Sequence, residues 1–337
     1  MRRIKLGLIG AGLIVNNRHA PALEALRDRF EVIAVCSRSE ERAGALARRF
    51  GRPAVYTDYR RLLEQPDVEA VDIAIPIALN YEVSLAAAQA GKHILCEKPI
   101  AANLRDAAAA TRLGEQYGVV HLVAENFRYS SDVRQARQWV AAGLIGAPLL
   151  GRWTVVRAYD PHNQYVQTAW RQQPAHPGGY LTDAGVHYMD VLRAILGEVE
   201  LVQGFVSRRY PLLGAEDTGI FNFRLRGGLP AHLTMSWATT ESVNQLEIFG
   251  DAGLVRLTND EVTLLRRGEP PRTYKDSGSQ GFREEFEDFH AAITAGKALE
   301  MTPREAYLDF AVLLAGLESA RTGQVIRMAD FLSPAVD

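Results

Sequence analysis

Lys5-Leu-Gly-Leu-Ile-Gly10-Ala-Gly12 is the stretch on which the fold turns. A short apolar run enters a Gly-x-Gly turn, and a helical segment follows, reaching roughly Arg29. A glycine turn between a strand and a helix is the context that gives a dinucleotide-binding fingerprint its meaning. Gly10 permits the tight turn. Gly12 lets the backbone approach a pyrophosphate, which rests on the free N–H groups of the helix N-terminus, where Leu13 and Ile14 follow. The third fingerprint position, usually Gly or Ala, is Val15, a larger side chain where helix and strand pack closely.

Short apolar runs continue beyond this turn and alternate with helical segments. Strands are expected at Val32–Cys36, Val55–Tyr56, Val71–Ile75, His93–Cys96 and Val119–Val123. Helices fall between them, at Asn80–Ala90 and Asn103–Tyr117, each stopped by a glycine. Alternation of this kind builds βαβ units around a parallel sheet. The expectation is a doubly wound α/β domain over residues 1–124.

In such a sheet, ligands bind outside the carboxyl ends of the strands. Three of those ends carry chemistry. After the second strand comes Cys36-Ser37-Arg38-Ser39, with Arg42 a helical turn later. An acid here would grip a ribose 2′-hydroxyl. Ser37 and Arg38 instead suit a 2′-phosphate, through hydrogen bonding and charge. NADP(H) is therefore favoured, with NAD(H) as the alternative. The fourth strand ends at Pro76. The fifth runs into Glu97, Lys98 and Pro99, where the proline restricts the backbone of a lysine placed to meet a ligand. The cofactor set is thus Gly10, Gly12, Leu13, Ile14, Ser37, Arg38, Arg42, Pro76, Glu97 and Lys98.

After Ala124 the pattern changes, and residues 125–337 are read as a second α/β domain for substrate binding and oligomerisation. A helix is expected at Asp132–Ala142 and a long irregular loop at Asp160–Gly179, rich in Gln, Pro, His and aromatics. A loop of that length is more often functional than idle. Phe221, Phe223 and Leu225 alternate with polar residues, as do Ala231, Leu233, Met235 and Trp237. Gly227-Gly228 lies between the two runs, as in a hairpin. Further strands are expected at Gln245–Phe249 and Leu254–Leu257. Period-two alternation means one covered and one polar face, hence antiparallel pairing. Helices at Phe282–Ala295 and Pro303–Arg321 close the chain.

Between loop and hairpin, Gly178-Gly-Tyr-Leu-Thr-Asp183-Ala-Gly-Val-His187 opens a helical segment expected over Thr182–Leu196. Asp183 and His187 are spaced i, i+4 and share a face of a continuous helix, with Asp190 near it. A histidine between carboxylates suits a proton shuttle. The same histidine with His162, His176 and Asp183 has no compact metal-ligand spacing, so no metal is assigned.

The net charge of −2 excludes the strong basic surplus of a nucleic-acid binder. No apolar run approaches a membrane span, and the N-terminus reads as a strand and turn rather than a signal peptide. Cys36 and Cys96, the only cysteines, close apolar runs and read as buried thiols. A cytoplasmic protein without membrane or nucleic-acid partners is expected.

Several of these motifs occur together: Gly10-Ala-Gly12, Ala90-Gly-Lys-His-Ile-Leu-Cys-Glu-Lys-Pro99, Glu125-Asn-Phe-Arg128, Trp170-Arg171, and Gly178-Gly-x-x-x-Asp183-x-x-x-His187. Their combination resembles the glucose–fructose oxidoreductase / inositol dehydrogenase / rhizopine catabolism (Gfo/Idh/MocA) family, from the first strand to the last helix. The resemblance implies a Rossmann domain followed by an α/β domain with a large, mostly antiparallel open sheet, often the interface of a homo-oligomer, dimer or tetramer. It implies reversible hydride transfer at a secondary hydroxyl of a sugar or cyclitol, with Lys98, Asp183 and His187 as catalytic set. Lys98, Arg128, Tyr159, His162, Trp170, Arg171, Asp183 and His187 are the candidates for contact with a polyhydroxylated substrate. Ile77 and Asn80 depart from the family pattern, where Asn and His are frequent, and Val15 departs at the glycine turn. Two rival readings use the same fold: a nucleotide-binding sensor or regulator without turnover, and a hydrolase or lyase using tightly held NAD(P) for transient oxidation.

Overall fold

The computed structural model describes residues 2–259, 261–276 and 278–333. The chain forms two compact units, residues 1–126 with 281–307, and residues 127–280 with 308–337.

The first unit is built on six strands: β1 (Ile4–Ile9), β2 (Phe30–Cys36), β3 (Ala54–Tyr56), β4 (Ala70–Ile73), β5 (His93–Glu97) and β6 (His121–Ala124). Their order is β3-β2-β1-β4-β5-β6, all parallel. Strands covered on both faces must be apolar throughout. Leu6, Leu8, Val35, Ile73, Leu95 and Leu122 are accordingly fully buried. The order reverses between β1 and β4, which opens the crevice at their carboxyl ends.

Local structure departs from the sequence expectation in three places in this unit. The helix after Gly12 opens with a π-type stretch, Val15–His19, and its α-helical part, Ala20–Ala25, stops short of Arg29. Val15 is not excluded from the close packing; it is 1% exposed and belongs to the core. The helix expected over Asn103–Tyr117 is two, Leu104–Ala110 and Leu113–Tyr117. At the break, the Thr111 hydroxyl donates to the Ala108 carbonyl at 2.7 Å, a local bond that competes with helix continuation. Lastly, the helix Phe282–Ala295 groups with this unit, not with the rest of residues 125–337. Phe282, Phe286 and Phe289 enter the same core as Ile4, Leu6, Leu8 and Phe30. Their spacing shows an apolar face but not what covers it.

The second unit carries nine strands: β7 (Pro148–Ala158), β8 (Val199–Ser207), β9 (Thr218–Leu225), β10 (Pro230–Thr239), β11 (Val243–Gly250), β12 (Gly253–Thr258), β13 (Glu261–Arg266), β14 (Arg272–Lys275) and β15 (Ile326–Arg327). They lie in the order β14-β13-β12-β11-β7-β10-β9-β8-β15. Among the described residues, only the β7–β10 pair is parallel; the other pairs are antiparallel. The β9–β10 hairpin forms as its alternation requires, Phe223 opposite Ala231 and Phe221 opposite Leu233. One face is closed by Trp153, Val155, Phe221, Leu233, Met235, Leu246 and Ile248, all nearly fully buried. The other carries Arg152, Glu247 and Arg256, with the cross-strand pair Phe205 and Ile220 exposed. The central strand β7 was not read from the sequence. Leu149 and Leu150 at its start are exposed, which blurs the alternation of Trp153 and Val155 with Arg152 and Thr154.

Among the described residues, no helix is long and apolar enough to cross a membrane. Cys36 and Cys96 are free, buried thiols, pushed up to about 11 and about 12, chiefly by burial.

Candidate functional site

In the first unit, the cofactor candidates gather at the carboxyl edge of the sheet. Gly10 follows β1 with φ +122°, and a Cβ there would lie 2.1 Å from the Ala74 carbonyl oxygen, just beyond β4. Only glycine fits this crossing of two strand ends. Gly12 is different: a Cβ there would meet nothing within 4 Å. Open space beside this backbone is what an approaching pyrophosphate requires, so the turn fits a dinucleotide. Asn16 ties the turn together, its amide donating to the carbonyls of Ala11 and Gly12 at 3.2 and 2.9 Å. Leu13 and Ile14 lead into the π-type stretch.

At the end of β2, the Ser37 N–H donates to the Tyr56 carbonyl, and the Ser37 hydroxyl accepts from the Ser39 N–H at 3.3 Å. That hydroxyl keeps its own proton to donate. Arg38 and Arg42 are exposed, and neither has an ion-pair partner among the described residues. Beyond β4, Pro76 is half-buried, Ile77 is 3% exposed and Asn80 is fully buried.

The end of β5 is the most constrained part of this edge. The Lys98 N–H donates to Glu97 Oε2 at 3.1 Å, and the Lys98–Pro99 peptide is cis. The Asn80 amide bridges the carbonyls of Glu97 and Pro99, at 2.8 Å each. Glu97 is 7% exposed, and its Oε1 receives His19 Nε2 at 3.0 Å; His19 Nδ1 meets Asp72 Oδ2 at 2.9 Å. Burial alone would lower the affinity of His19 for its proton. The Asp72 and Glu97 carboxylates overcome this and hold it well above its ordinary range. Glu285 is also fully buried, and neither of its carboxyl oxygens has a hydrogen-bond partner among the described residues. Burial, and then the charges of Glu97, Asp72 and Glu125, outweigh the attraction of His19 and push its carboxyl well up.

Sequence reasoning passed over His19, Asp72 and Glu285. A signal for one was present: Asp72 sits inside the apolar run Val71–Ile75, and a buried acid demands a partner.

In the second unit, Asp183 and His187 do not lie on one continuous helix. Tyr180–Asp183 is a short helix, Ala184 breaks the run, and Gly185–Leu196 follows. Gly178 and Gly179 precede it with φ +75° and +46°. Asp183 is 6% exposed, and its Oδ2 accepts from Arg171 Nε at 2.8 Å. The Arg171 guanidinium lies 4.0 Å from the centre of the Trp170 ring and 5.2 Å from that of Tyr165. Trp170, Arg171 and Asp183 line one cleft together with His176, Tyr180, Leu213 and Trp237. His187 stacks on Phe127, with ring centres 4.5 Å apart and planes 14° from parallel.

The remaining candidates are placed elsewhere. Arg128 is buried and donates from Nε to Asp190 Oδ1 at 2.7 Å. Burial pushes the Asp190 carboxyl up and Arg128 pulls it partly back. Tyr159 stacks on Tyr210 with ring centres 3.6 Å apart, and His162 is exposed. Neither lines the cleft of Asp183. His176 Nε2 meets the Gly179 carbonyl at 3.2 Å. Among the described residues, no three His, Cys, Asp or Glu side chains group to hold a metal ion.

Comparison with known proteins bears on both units. Residues 4–125 match the model of an oxidoreductase family with an NAD-binding Rossmann fold, and residues 133–256 match the GFO/IDH/MocA C-terminal domain. The 1,5-anhydro-D-fructose reductase of Ensifer adhaerens is 30% identical over 94% of this chain and 96% of its own length. An oxidoreductase of Thermotoga maritima superposes with a TM-score of 0.92 at 33% identity, over 98% of this chain and all of its own. A levoglucosan dehydrogenase in complex with NADH and levoglucosan superposes with a TM-score of 0.88 at 25% identity, over 97% of this chain and all of its own.

Proposed function

The chain belongs to the Gfo/Idh/MocA family of NAD-binding oxidoreductases, and on that premise we propose that it transfers hydride reversibly at a secondary hydroxyl of a sugar or cyclitol, or at the corresponding ketone. One observation carries the substrate class. Trp170, Tyr180 and Trp237 surround the buried carboxylate of Asp183 at a small cavity. Aromatic faces take the apolar face of a saturated ring, and a carboxylate accepts from its hydroxyl groups.

When bound, the dinucleotide supplies or accepts the hydride. Gly10, Gly12, Leu13 and Ile14 hold its pyrophosphate side. His187 takes the hydroxyl proton during oxidation and returns it during reduction. Lys98 hydrogen-bonds the oxygen on which negative charge develops. Asp183, oriented by Arg171, binds a neighbouring hydroxyl.

NADP(H) is the proposed dinucleotide, NAD(H) the alternative. Arg38 and Arg42 are exposed cations at the end of β2, and no carboxylate stands at Ser37 to repel a phosphate. A homo-oligomer through the open face of the nine-stranded sheet is also proposed. Phe205 and Ile220, 59% and 43% exposed on neighbouring strands, support it.

Nicotinamide absorbance with a panel of monosaccharides, anhydro-sugars, inositols and their keto forms tests the reaction, each compound offered with NADP(H) and NAD(H). Turnover with a polyol supports the reading. Tight dinucleotide binding with no reaction across the panel would favour a regulator or an internal-redox enzyme.

A further inference from the structure

His19 lies far in sequence from Lys98, yet it reaches the segment that presents that lysine. It stands on the π-type stretch after β1, with no exposed surface. Its Nδ1 meets Asp72 on β4, and its Nε2 meets Glu97 at the end of β5. The rings of Phe282 and Phe286, with centres 5.9 and 5.5 Å away, close the pocket. A neutral imidazole has one N–H and one bare nitrogen, and an ionised carboxylate only accepts. Two ionised carboxylates on the two ring nitrogens are matched by an imidazolium, in line with the raised proton affinity of His19. Burial pushes up the carboxyl of Glu285, the other acid whose charge acts with that of His19, and the two acids bonded to the ring are Asp72 and Glu97.

The consequence lies one bond further on. Glu97 has two oxygens with two different tasks. Oε1 is hydrogen-bonded to His19 Nε2, and Oε2 accepts the N–H of Lys98. With Oε1 pinned, the carboxylate plane is set and Oε2 is aimed at the Lys98 backbone. The Asn80 amide holds the carbonyls on either side of that residue. We propose that His19 is a positioning residue for Lys98, acting through the Glu97 carboxylate. It touches neither substrate nor cofactor. A histidine that merely satisfies a buried core would serve equally through either of its nitrogens; a positioning residue serves through Nε2.

That asymmetry supplies the test. A glutamine amide can occupy the place of Nε2, and an asparagine amide the place of Nδ1. His19→Gln therefore keeps the bond to Glu97, and His19→Asn keeps only the bond to Asp72. The chain has five lysines, so reductive methylation with ¹³C gives few dimethyl-lysine resonances. Lys98→Arg identifies the one from Lys98. The expected result is that His19→Asn shifts the Lys98 resonance, with those of Lys5, Lys92, Lys275 and Lys297 unmoved, whereas His19→Gln leaves all five in place. Should a His19 variant fail to fold, Glu97→Gln is expected to move the Lys98 resonance, and Asp72→Asn to leave it. The kinetic arm rests on the hydride-transfer reading. There kcat falls in His19→Asn by about the 100-fold that a small misplacement of a reacting group costs. Substrate KM and dinucleotide Kd stay near wild type. An unmoved Lys98 resonance in His19→Asn, or equal shifts in the Asn and Gln variants, would overturn the proposal. A resonance that shifts as expected in a protein with no turnover on any polyol upholds the positioning and removes the reaction instead.

Discussion

Arg171 and Asp183 are joined by a 2.8 Å hydrogen bond from Nε to Oδ2, and the same guanidinium lies over Trp170, 4.0 Å from the ring centre. The cation–π contact holds the guanidinium, and the guanidinium holds the carboxylate. Lysine has neither the planar fork nor the face needed for both tasks. Arg171→Lys is expected to lower kcat/KM by about 10- to 100-fold, the worth of one hydrogen bond to a charged group. Steady-state kinetics beside a thermal melt check it. A variant with wild-type kcat/KM would show that Asp183 does not depend on this partner.

The two glycines of the first turn should fail in different ways. Gly10→Ala drives a Cβ to 2.1 Å from the Ala74 carbonyl oxygen at a φ of +122°, so it should destabilise the fold by several kcal/mol, beyond the ~1–3 kcal/mol of backbone strain alone. Gly12→Ala meets open space and should leave the melting temperature near wild type. Its cost falls on dinucleotide affinity, because the added methyl occupies the approach to the backbone. Melting curves with and without NADPH separate the two. Equal loss of stability in both variants would contradict this division.

The fold was legible where burial leaves a clear pattern. The parallel strands are apolar runs because both faces are covered, and the β9–β10 hairpin alternates because one face is. Legibility fails where a residue's surroundings are set by distant chain. Phe282, Phe286 and Phe289 announce an apolar helix face, but only the structure shows that it covers β1 and β2. β14 is exposed throughout and carries no apolar signal. In the candidate site, Lys98, Asp183 and Arg171 are named by residue type and motif. The helix break between Asp183 and His187 was not legible, because the interruption at Ala184 leaves no mark in an i, i+4 spacing. His19 was missed since a lone histidine after a glycine turn says nothing of the carboxylates that β4 and β5 bring to it.

The choice of dinucleotide should rest on Arg38 more than on Ser37. A charge-assisted bond to a phosphate contributes about 1.5–3 kcal/mol, so Arg38→Ala should weaken NADPH binding by about 10- to 100-fold and change NADH binding little. Ser37→Asp adds a repelling charge and an acceptor for a ribose hydroxyl, and should reverse the preference. Fluorescence titration of both reduced dinucleotides decides. If Arg38→Ala weakens NADH and NADPH alike, the arginine does not read the 2′-phosphate.

His121 should make the protein sensitive to mild acid. It lies on β6 at 3% exposure, and burial lowers its pKa to about 4. In the unfolded chain the same imidazole takes a proton near its ordinary value of 6.5. Between these values the unfolded state binds more protons than the folded state, so stability rises with pH across the window. It is intact above about pH 6.5 and declines as the pH falls toward about 4, a loss of about 3 kcal/mol at the lower end. His19 has the opposite sign: its raised affinity contributes stability below about pH 6.5, which fades only as the pH climbs through its elevated folded value. The acid loss is therefore separable by substitution. Urea unfolding of wild type and His121→Gln at pH 7 and pH 5 should show a smaller drop in the variant, whatever its absolute stability. Parallel drops in the two proteins would assign the acid sensitivity to groups other than His121.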